Sequence, residues 1–202
     1  MRRDGAIAVT TPTGFADWIP YILDDEGPEV NASSDEPGGV SKYGVSLTTY
    51  RDYCRATKLP VPVAGDVADL TANGASAFYS WFLGDMMLDQ LPAALAYRVA
   101  DLAVTLGREG AVDALCSALG VWPVPTAMTA ALVAAAKAAD QTCLLWSLSG
   151  AWLATKRAQG GAAGRAKYGD GWNARRNKVH ARATAMVTWE DEDELYEREK
   201  AS

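Results

Sequence analysis

The stretch FADWIPYILDDEGPEV, residues 15–30, contains the first regular element of the chain and its first strong break. Its apolar side chains recur at i, i+3, i+4, i+7 and i+8, the spacing of one helix face: Phe15, Trp18, Ile19, Ile22 and Leu23. Pro20 either kinks this helix or lies in the first turn of a helix that begins near Asp17. Gly27-Pro28 ends the helix, since glycine favours the terminating conformation and proline cannot continue it.

The rest of the chain reads as one loop followed by helices. Residues 28–45 are rich in Gly, Pro, Ser, Asn and Asp, which predicts an irregular loop or a small hairpin. The later pattern predicts helices over Leu47 to Ala56, Thr71 to Met87, Leu91 to Leu106, Glu109 to Leu119, Thr126 to Ala139, Leu144 to Gln159 and Lys167 to Thr184. A flexible break is expected over residues 160–164. The predicted fold class is mainly α.

Composition narrows the function classes. The 202 residues are 49% hydrophobic and 22% charged, which is typical of a globular protein with a sizeable core. A net charge of −6 argues against a general nucleic-acid partner, because phosphate binding requires surplus Lys and Arg. Cys54, Cys116 and Cys143 are too widely spaced for a metal site or a disulfide framework, and His180 is the single histidine. We therefore expect free thiols and no metal or organic cofactor.

Carboxylates crowd the end of the first helix. Asp24, Asp25, Glu26 and Glu29 lie where the helix dipole already disfavours negative charge. Like charges and the dipole both raise a carboxyl pKa, and burial of Glu26 would raise it further. A carboxylic acid that stays protonated near neutral pH is what a general acid requires.

Two more polar groups follow at short range. Asp35 lies nine residues after Glu26, and Ser41 lies six residues after Asp35. An acid, a second carboxylate and a hydroxyl that holds water are the minimum set for inverting glycoside hydrolysis. On spacing alone, a solvated acidic turn is the competing interpretation. If the set is catalytic, we expect inversion of configuration, with Ser41→Ala costly and Ser41→Thr tolerated.

These residues lie in a frame that resembles a known family. ILDDEG at residues 22–27 and DEPGGVSKYGV at residues 35–45 resemble the N-terminal signature of glycoside hydrolase family 108, phage and bacterial N-acetylmuramidases. That signature reads roughly I-L-x-x-E-G-G, then D-x-G-G-x-T-x-x-G-I, and the spacing also matches the Glu/Asp/Thr arrangement of phage-type lysozymes. The resemblance implies a lysozyme-like helical domain whose loop or hairpin carries the active site. It implies cleavage of the β-1,4 MurNAc–GlcNAc bond, with Glu26 as general acid, Asp35 or Glu36 as base, and Ser41 positioning water.

A second resemblance lies downstream. Residues 94–107, residues 115–120 and GWNAR at residues 171–175 resemble phrases of the family's peptidoglycan-binding region, F-D-x-A-V-N-x-G, L-Q-x-x-L-G and G-W-x-x-R. The implied organisation is a muramidase catalytic region over 1–88, a helical peptidoglycan-binding region packed against it over 89–180, and an acidic C-terminal tail over 181–202.

Three positions depart from the family pattern. Pro28 replaces a glycine, Ser41 replaces a threonine and Thr105 replaces an asparagine. None of them removes an obligatory group. The alternative they leave open is a catalytically impaired peptidoglycan-binding or virion structural protein with the same fold.

Several residues are candidate substrate contacts. Tyr43, Tyr50, Asp101 and Trp172 are the predicted contacts, although Asp101 on an apolar helix equally fits a satisfied buried carboxylate. Among the other tryptophans, Trp18, Trp81, Trp146 and Trp152 are expected in the core. The basic residues between 156 and 182 either hold the carboxylates of peptidoglycan or pair with the acidic run at 190–194.

The expected partner is the glycan strand of peptidoglycan, with no nucleic acid and no stable membrane insertion. No signal peptide or membrane span is evident, because the most apolar run, residues 144–154, is too short to cross a bilayer. We therefore expect synthesis in a host cytoplasm and action on the cell wall in the periplasm. Delivery would depend on a holin, as for a phage endolysin, or on association with a virion.

Overall fold

The computed structural model describes residues 18–32 and 38–200, with side chains up to residue 187. Its helices are α1 (Ile19–Glu26), α2 (Leu47–Thr57), α3 (Ala64–Ala68), α4 (Ala72–Leu83), α5 (Ala93–Leu119), α6 (Ala130–Ala138) and α7 (Gln141–Lys200). Short 3₁₀ turns occur at Gly84–Met86 and Leu88–Gln90. The strands are β1 (Val30–Asn31), β2 (Ser41–Lys42) and β3 (Val45–Ser46). The mainly α prediction is confirmed.

Helix α1 begins at Ile19, with Pro20 in its first turn, so the second of the two interpretations of this proline is confirmed. Phe15 and Asp17 of the predicted helix lie outside the described residues. Gly27, with φ at 75°, ends the helix as predicted, and its N–H bonds the Leu23 carbonyl.

The predicted loop contains a small antiparallel sheet with strand order β1-β2-β3. Ser41 pairs with Asn31 on one side and with Ser46 on the other. Strands β2 and β3 are joined by Tyr43 and Gly44, whose φ angles of 51° and 72° are both positive. A two-residue hairpin of this kind matches the twist of the flanking strands. The hairpin alternative for residues 28–45 is therefore confirmed.

Two long helices are interrupted at single glycines. Helix α5 has non-helical backbone angles at Gly107, where the sequence predicted a break, and α7 is interrupted at Gly161, within the predicted break at 160–164. The two arms of α7, before and after Gly161, fold back on each other. The rings of Trp146 in the first arm and His180 in the second arm lie 3.9 Å apart between centroids. The second arm continues as helix past residue 181 to Lys200, and the division of the chain at 88/89 and 180/181 stays a prediction.

The core is continuous from Trp18 to Met186. Its centre is the first arm of α5, where every residue from 94 to 103 is buried, and this arm packs against α7. Trp18 and Trp152 are buried in this core as predicted, whereas Trp146 is 60% exposed, so its assignment to the core is wrong. Buried residues from both sides of the proposed boundary at 88/89 belong to this one cluster.

All three cysteines are free thiols. No helix in the described part of the chain is long and apolar enough to span a membrane.

Candidate active site

Glu26 is the last residue of α1, and its side chain is 14% exposed. It lies against the hairpin turn: a Cβ atom on Gly44 would fall 2.6 Å from Glu26 Oε2. Glycine is required at this turn for two reasons, since its φ of 72° is also unfavourable for other residues. The turn and the end of α1 therefore form the two walls around this carboxylate.

A chain of charged side chains leads from Glu26 into the core. Arg175 Nη2, from the second arm of α7, donates to Glu26 Oε1 at 2.5 Å and to Asp101 Oδ1 at 2.9 Å. The other oxygen of Asp101 accepts from Arg98 Nη1 at 2.6 Å, and Arg98 Nη2 donates to the Leu148 carbonyl at 3.3 Å. The Arg98 and Asp101 side chains are 1% and 3% exposed. Buried charges are tolerated only when they are paired in this way.

The electrostatics of this cluster keep the Arg175 guanidinium charged and the nearby Tyr79 hydroxyl neutral. Burial would lower the pKa of Arg175, but the carboxylates of Asp101 and Glu26 outweigh burial and raise it. Burial, followed by the charge of Glu26, raises the pKa of Tyr79 well above its usual value. The Tyr79 hydroxyl therefore stays protonated and donates to the Tyr43 carbonyl at 2.7 Å, which holds the hairpin turn.

The other two acids of α1 are bound by the same arm of α7. The Asp25 side chain is 1% exposed, and it accepts hydrogen bonds from Lys178, from Arg182 and from the Tyr97 hydroxyl. Asp24 is 61% exposed and pairs with the same two cations. These cations offset the unfavourable position of the acids at the helix C-terminus.

This pairing corrects one expectation. Hydrogen bonds from Arg182 and Lys178 lower the pKa of Asp24, so crowding of the acids does not raise it. Among the described side chains, which end at residue 187, Arg175, Lys178 and Arg182 bind acids of α1. Binding of polymer by the basic residues between 156 and 182, or their pairing with the acidic run at 190–194, stays a prediction.

The hairpin that contains Ser41 lies beside Glu26 through its turn, whereas the predicted base lies outside the described residues. Ser41 is half-buried in β2, two residues before the turn that contacts Glu26. Asp35 and Glu36 lie outside the described residues, in the gap between residues 32 and 38.

The four predicted substrate contacts occupy different environments. Tyr43 is half-buried at the hairpin turn, with the Lys42 ammonium 5.8 Å from its ring centroid. Tyr50 stacks on Tyr53, and burial raises the pKa of its hydroxyl. The carboxylate of Asp101 is enclosed by arginines, which fits the buried-carboxylate interpretation.

Trp172 packs on the turn of the α7 hairpin. A Cβ atom on Gly160 would fall 2.4 Å from its ring, and one on Gly164 would fall 3.3 Å from it. Its i+3 neighbour on the same helix face is Arg175. In the GWNAR motif, the tryptophan therefore packs at the turn between the two arms of α7, and the arginine reaches Glu26.

Sequence reasoning missed Arg175 and Arg98. Arg175 was quoted only as part of the binding-region motif, and no local pattern connects it to a residue 149 positions away. Arg98 and Asp101 have the i,i+3 spacing of a helical ion pair, which is the one signal that could have indicated their contact. The described residues contain no group of three His, Cys, Asp or Glu side chains that could hold a metal ion.

The mainly α architecture with a small sheet, here beside a helix-terminal glutamate, is consistent with a lysozyme-like fold. Residues 19–107 match the family model described as Glycosyl hydrolase 108, which supports a glycosidase. The chain is similar to the solved structure titled "Structure of Brucella abortus SagA", with a TM-score of 0.71 and 26% identity over 85% of this chain and 94% of that chain. No curated protein sequence matches the chain. The family match contains Glu26, the sheet and Asp101, and it ends before α7.

Proposed function

We propose that this protein is a peptidoglycan hydrolase that cleaves the β-1,4 bond between N-acetylmuramic acid and N-acetylglucosamine. The observation that carries the proposal is the placement of Glu26. It ends α1 inside the matched span 19–107, keeps 14% of its side chain exposed and faces the hairpin turn. A carboxyl group at the edge of a hairpin, partly shielded from water, suits protonation of a glycosidic oxygen.

In the proposed reaction Glu26 donates its proton to the leaving-group oxygen. Asp35, or Glu36 in its place, accepts a proton from water, and Ser41 holds that water for attack on the anomeric carbon. This single displacement inverts the configuration and needs a separation of about 6.5–9.5 Å between the two carboxyl groups, against about 5 Å in a retaining enzyme. A hydroxyl next to the second carboxylate favours the water-mediated, inverting course.

Substrate binding is proposed to involve the hairpin side of the site. Tyr43 is the strongest of the four candidates, because it forms the turn that contacts the Glu26 carboxylate. The packing of Tyr50 on Tyr53, of Trp172 on Gly160 and of Asp101 between arginines favours structural roles for these three. We propose that the α5–α7 part of residues 89–180 supports the site and contributes to peptidoglycan binding.

The cellular role proposed is phage lysis or cell-wall penetration. In a lysis role the protein would act in the periplasm after a holin opens the membrane, and in a penetration role a phage particle would carry it there. Expression of the protein in a Gram-negative host, with and without a co-expressed holin, tests the lysis role. Lysis of the host only when the holin is present would support that role. No lysis in either condition would contradict it.

A second candidate function is binding of peptidoglycan without cleavage. One observation favours it: Pro28 stands where the family signature has a glycine. Thr105 does not support it, because its hydroxyl accepts a hydrogen bond from Trp152 Nε1 at 2.8 Å and so has a packing role.

Incubation with purified sacculi, followed by mass spectrometry of the soluble fraction, tests the proposal. A muramidase releases muropeptides with an N-acetylmuramic acid reducing end. Fragments that end in N-acetylglucosamine would contradict the assigned bond. Retention on sacculi without release of any fragment would replace the proposal with the second candidate.

A further inference from the structure

We propose that Arg175 is a positioning residue for Glu26, so that the second arm of α7 completes the active site from outside the family match at 19–107. This inference rests on the proposed function. It assigns a role in the chemistry to a motif that the sequence attributes to binding.

The contact is specific to one oxygen of Glu26. Arg175 Nη2 donates to Oε1, whereas Oε2 lies against Gly44 and makes no hydrogen bond to another residue in the described part of the chain. A carboxyl group held by one oxygen keeps the other oxygen available to carry and transfer a proton. Arg175 thereby fixes which oxygen of Glu26 faces the hairpin side of the site.

The Arg175 guanidinium is also held by a buried anchor, the carboxylate of Asp101. The same Nη2 that binds Glu26 also binds Asp101, and Arg175 Nε has no hydrogen-bond partner among the residues described. Arg175 therefore makes no two-nitrogen contact with either carboxylate, because the single nitrogen Nη2 donates to both. Arg98 holds the far oxygen of Asp101, so the anchor itself cannot rotate without breaking a buried ion pair.

The helix arm that carries Arg175 is fastened on both sides of it. Trp172 packs on Gly160 at the hairpin turn, one helical turn before Arg175. Lys178 and Arg182, one and two turns after it, bind Asp25 at the end of α1. These contacts fix the arm relative to α1, and the guanidinium reaches Glu26 from a rigid element.

The test compares kcat and KM of Arg175→Lys and Arg175→Gly with those of the parent and of a control variant, on soluble glycan fragments of peptidoglycan. Because loss of orientation by about 1 Å can cost about 100-fold in rate, we expect Arg175→Gly to lose about 100-fold in kcat, with KM changed less than about twofold. Lysine keeps the charge, but its ammonium lies on a differently shaped side chain and does not reproduce the position of Nη2 between the two carboxylates, so we expect a loss of about tenfold. Arg176→Lys and Arg176→Gly are the matched controls, because within the described part of the chain the Arg176 side chain hydrogen-bonds only to its neighbour Asn177.

Chemical rescue separates positioning from a purely structural role. We expect methylguanidinium at millimolar concentration to restore kcat of Arg175→Gly and to leave the Arg176 variants unaffected. Full kcat in Arg175→Gly would overturn the proposal. A loss of kcat that is accounted for by unfolded protein in circular dichroism, with no rescue, would overturn it in favour of a structural role. If the parent itself releases no muropeptides, the proposed function fails instead, and the two failures are therefore distinguishable.

Discussion

Replacement of Asp25 by asparagine tests the attachment of α1 to the second arm of α7. The Asp25 carboxylate is 1% exposed; Oδ1 accepts from Lys178 at 2.9 Å and Arg182 at 3.1 Å, and Oδ2 accepts from the Tyr97 hydroxyl. Asparagine keeps the volume, but it removes the charge and turns an amide N–H₂ toward one of these donors. The variant therefore loses a buried ion pair, and its amide N–H₂ faces another hydrogen-bond donor.

The expected loss in the free energy of unfolding depends on which contacts remain after Asp25→Asn. Breaking a buried pair by removing one partner costs about 3–5 kcal/mol. We expect the lower end, about 3 kcal/mol, because Lys178 and Arg182 are 44% and 23% exposed and both still pair with Asp24. For a protein of this size that corresponds to a fall in Tm of about 6–12 °C.

Urea and thermal unfolding followed by circular dichroism at neutral pH measure this difference. Asp24→Asn is the matched control, since Asp24 pairs with the same cations at 61% exposure and is expected to cost less than about 1 kcal/mol. Equal losses in the two variants, or a loss below about 1 kcal/mol in Asp25→Asn, would refute the reasoning that burial gives this contact its energy.

Three further predictions follow from the same structure. Gly44→Ala is expected to lower activity by more than its loss of stability explains, because the new methyl group would lie 2.6 Å from Glu26 Oε2; equal activity per folded molecule would contradict this. Burial, and then two nearby arginines, lower the pKa of His180, so its single imidazole NMR signal should titrate with a midpoint below 6.5. The unfolded chain then binds this proton first, so stability falls as pH drops from 6.5 toward the folded-state pKa, and His180→Gln should remove that slope. Ser41→Ala is expected to lower kcat about tenfold or more while Ser41→Thr retains activity, and NMR of the first product should show inversion; a retained β-anomer would contradict the role of the water.

The sequence predicted the elements whose pattern is local. Helix α1 and its end at Gly27, the hairpin at residues 28–45 and the break at Gly107 all follow from helical periodicity or from the backbone freedom of glycine and proline. The mainly α class follows from the same periodicity summed over the chain. These features require no knowledge of which distant residues meet.

The remaining features depend on contacts between distant parts of the chain. Helical spacing placed Trp146 in the core, but spacing does not determine whether another element covers that face, and the side chain is 60% exposed. The acids of α1 were expected to repel one another, and the cations that bind them come from more than 140 residues further along the chain. The contact between these cations and the acids of α1 depends on the fold-back of α7 at Gly161, which the sequence pattern does not reveal.

The most direct measurement of the central claim is the rate at which Glu26→Gln clears chloroform-permeabilised Gram-negative cells, compared with the parent. Glutamine preserves the size of the side chain and its acceptor oxygen toward Arg175, but it has no proton of suitable acidity to donate. Glu29→Gln is the matched control, since Glu29 is an exposed acid three residues further along. The account predicts a loss of about 100-fold or more for Glu26→Gln and parental rates for Glu29→Gln. Clearing by Glu26→Gln as fast as by the parent would contradict the assignment of Glu26 as the general acid.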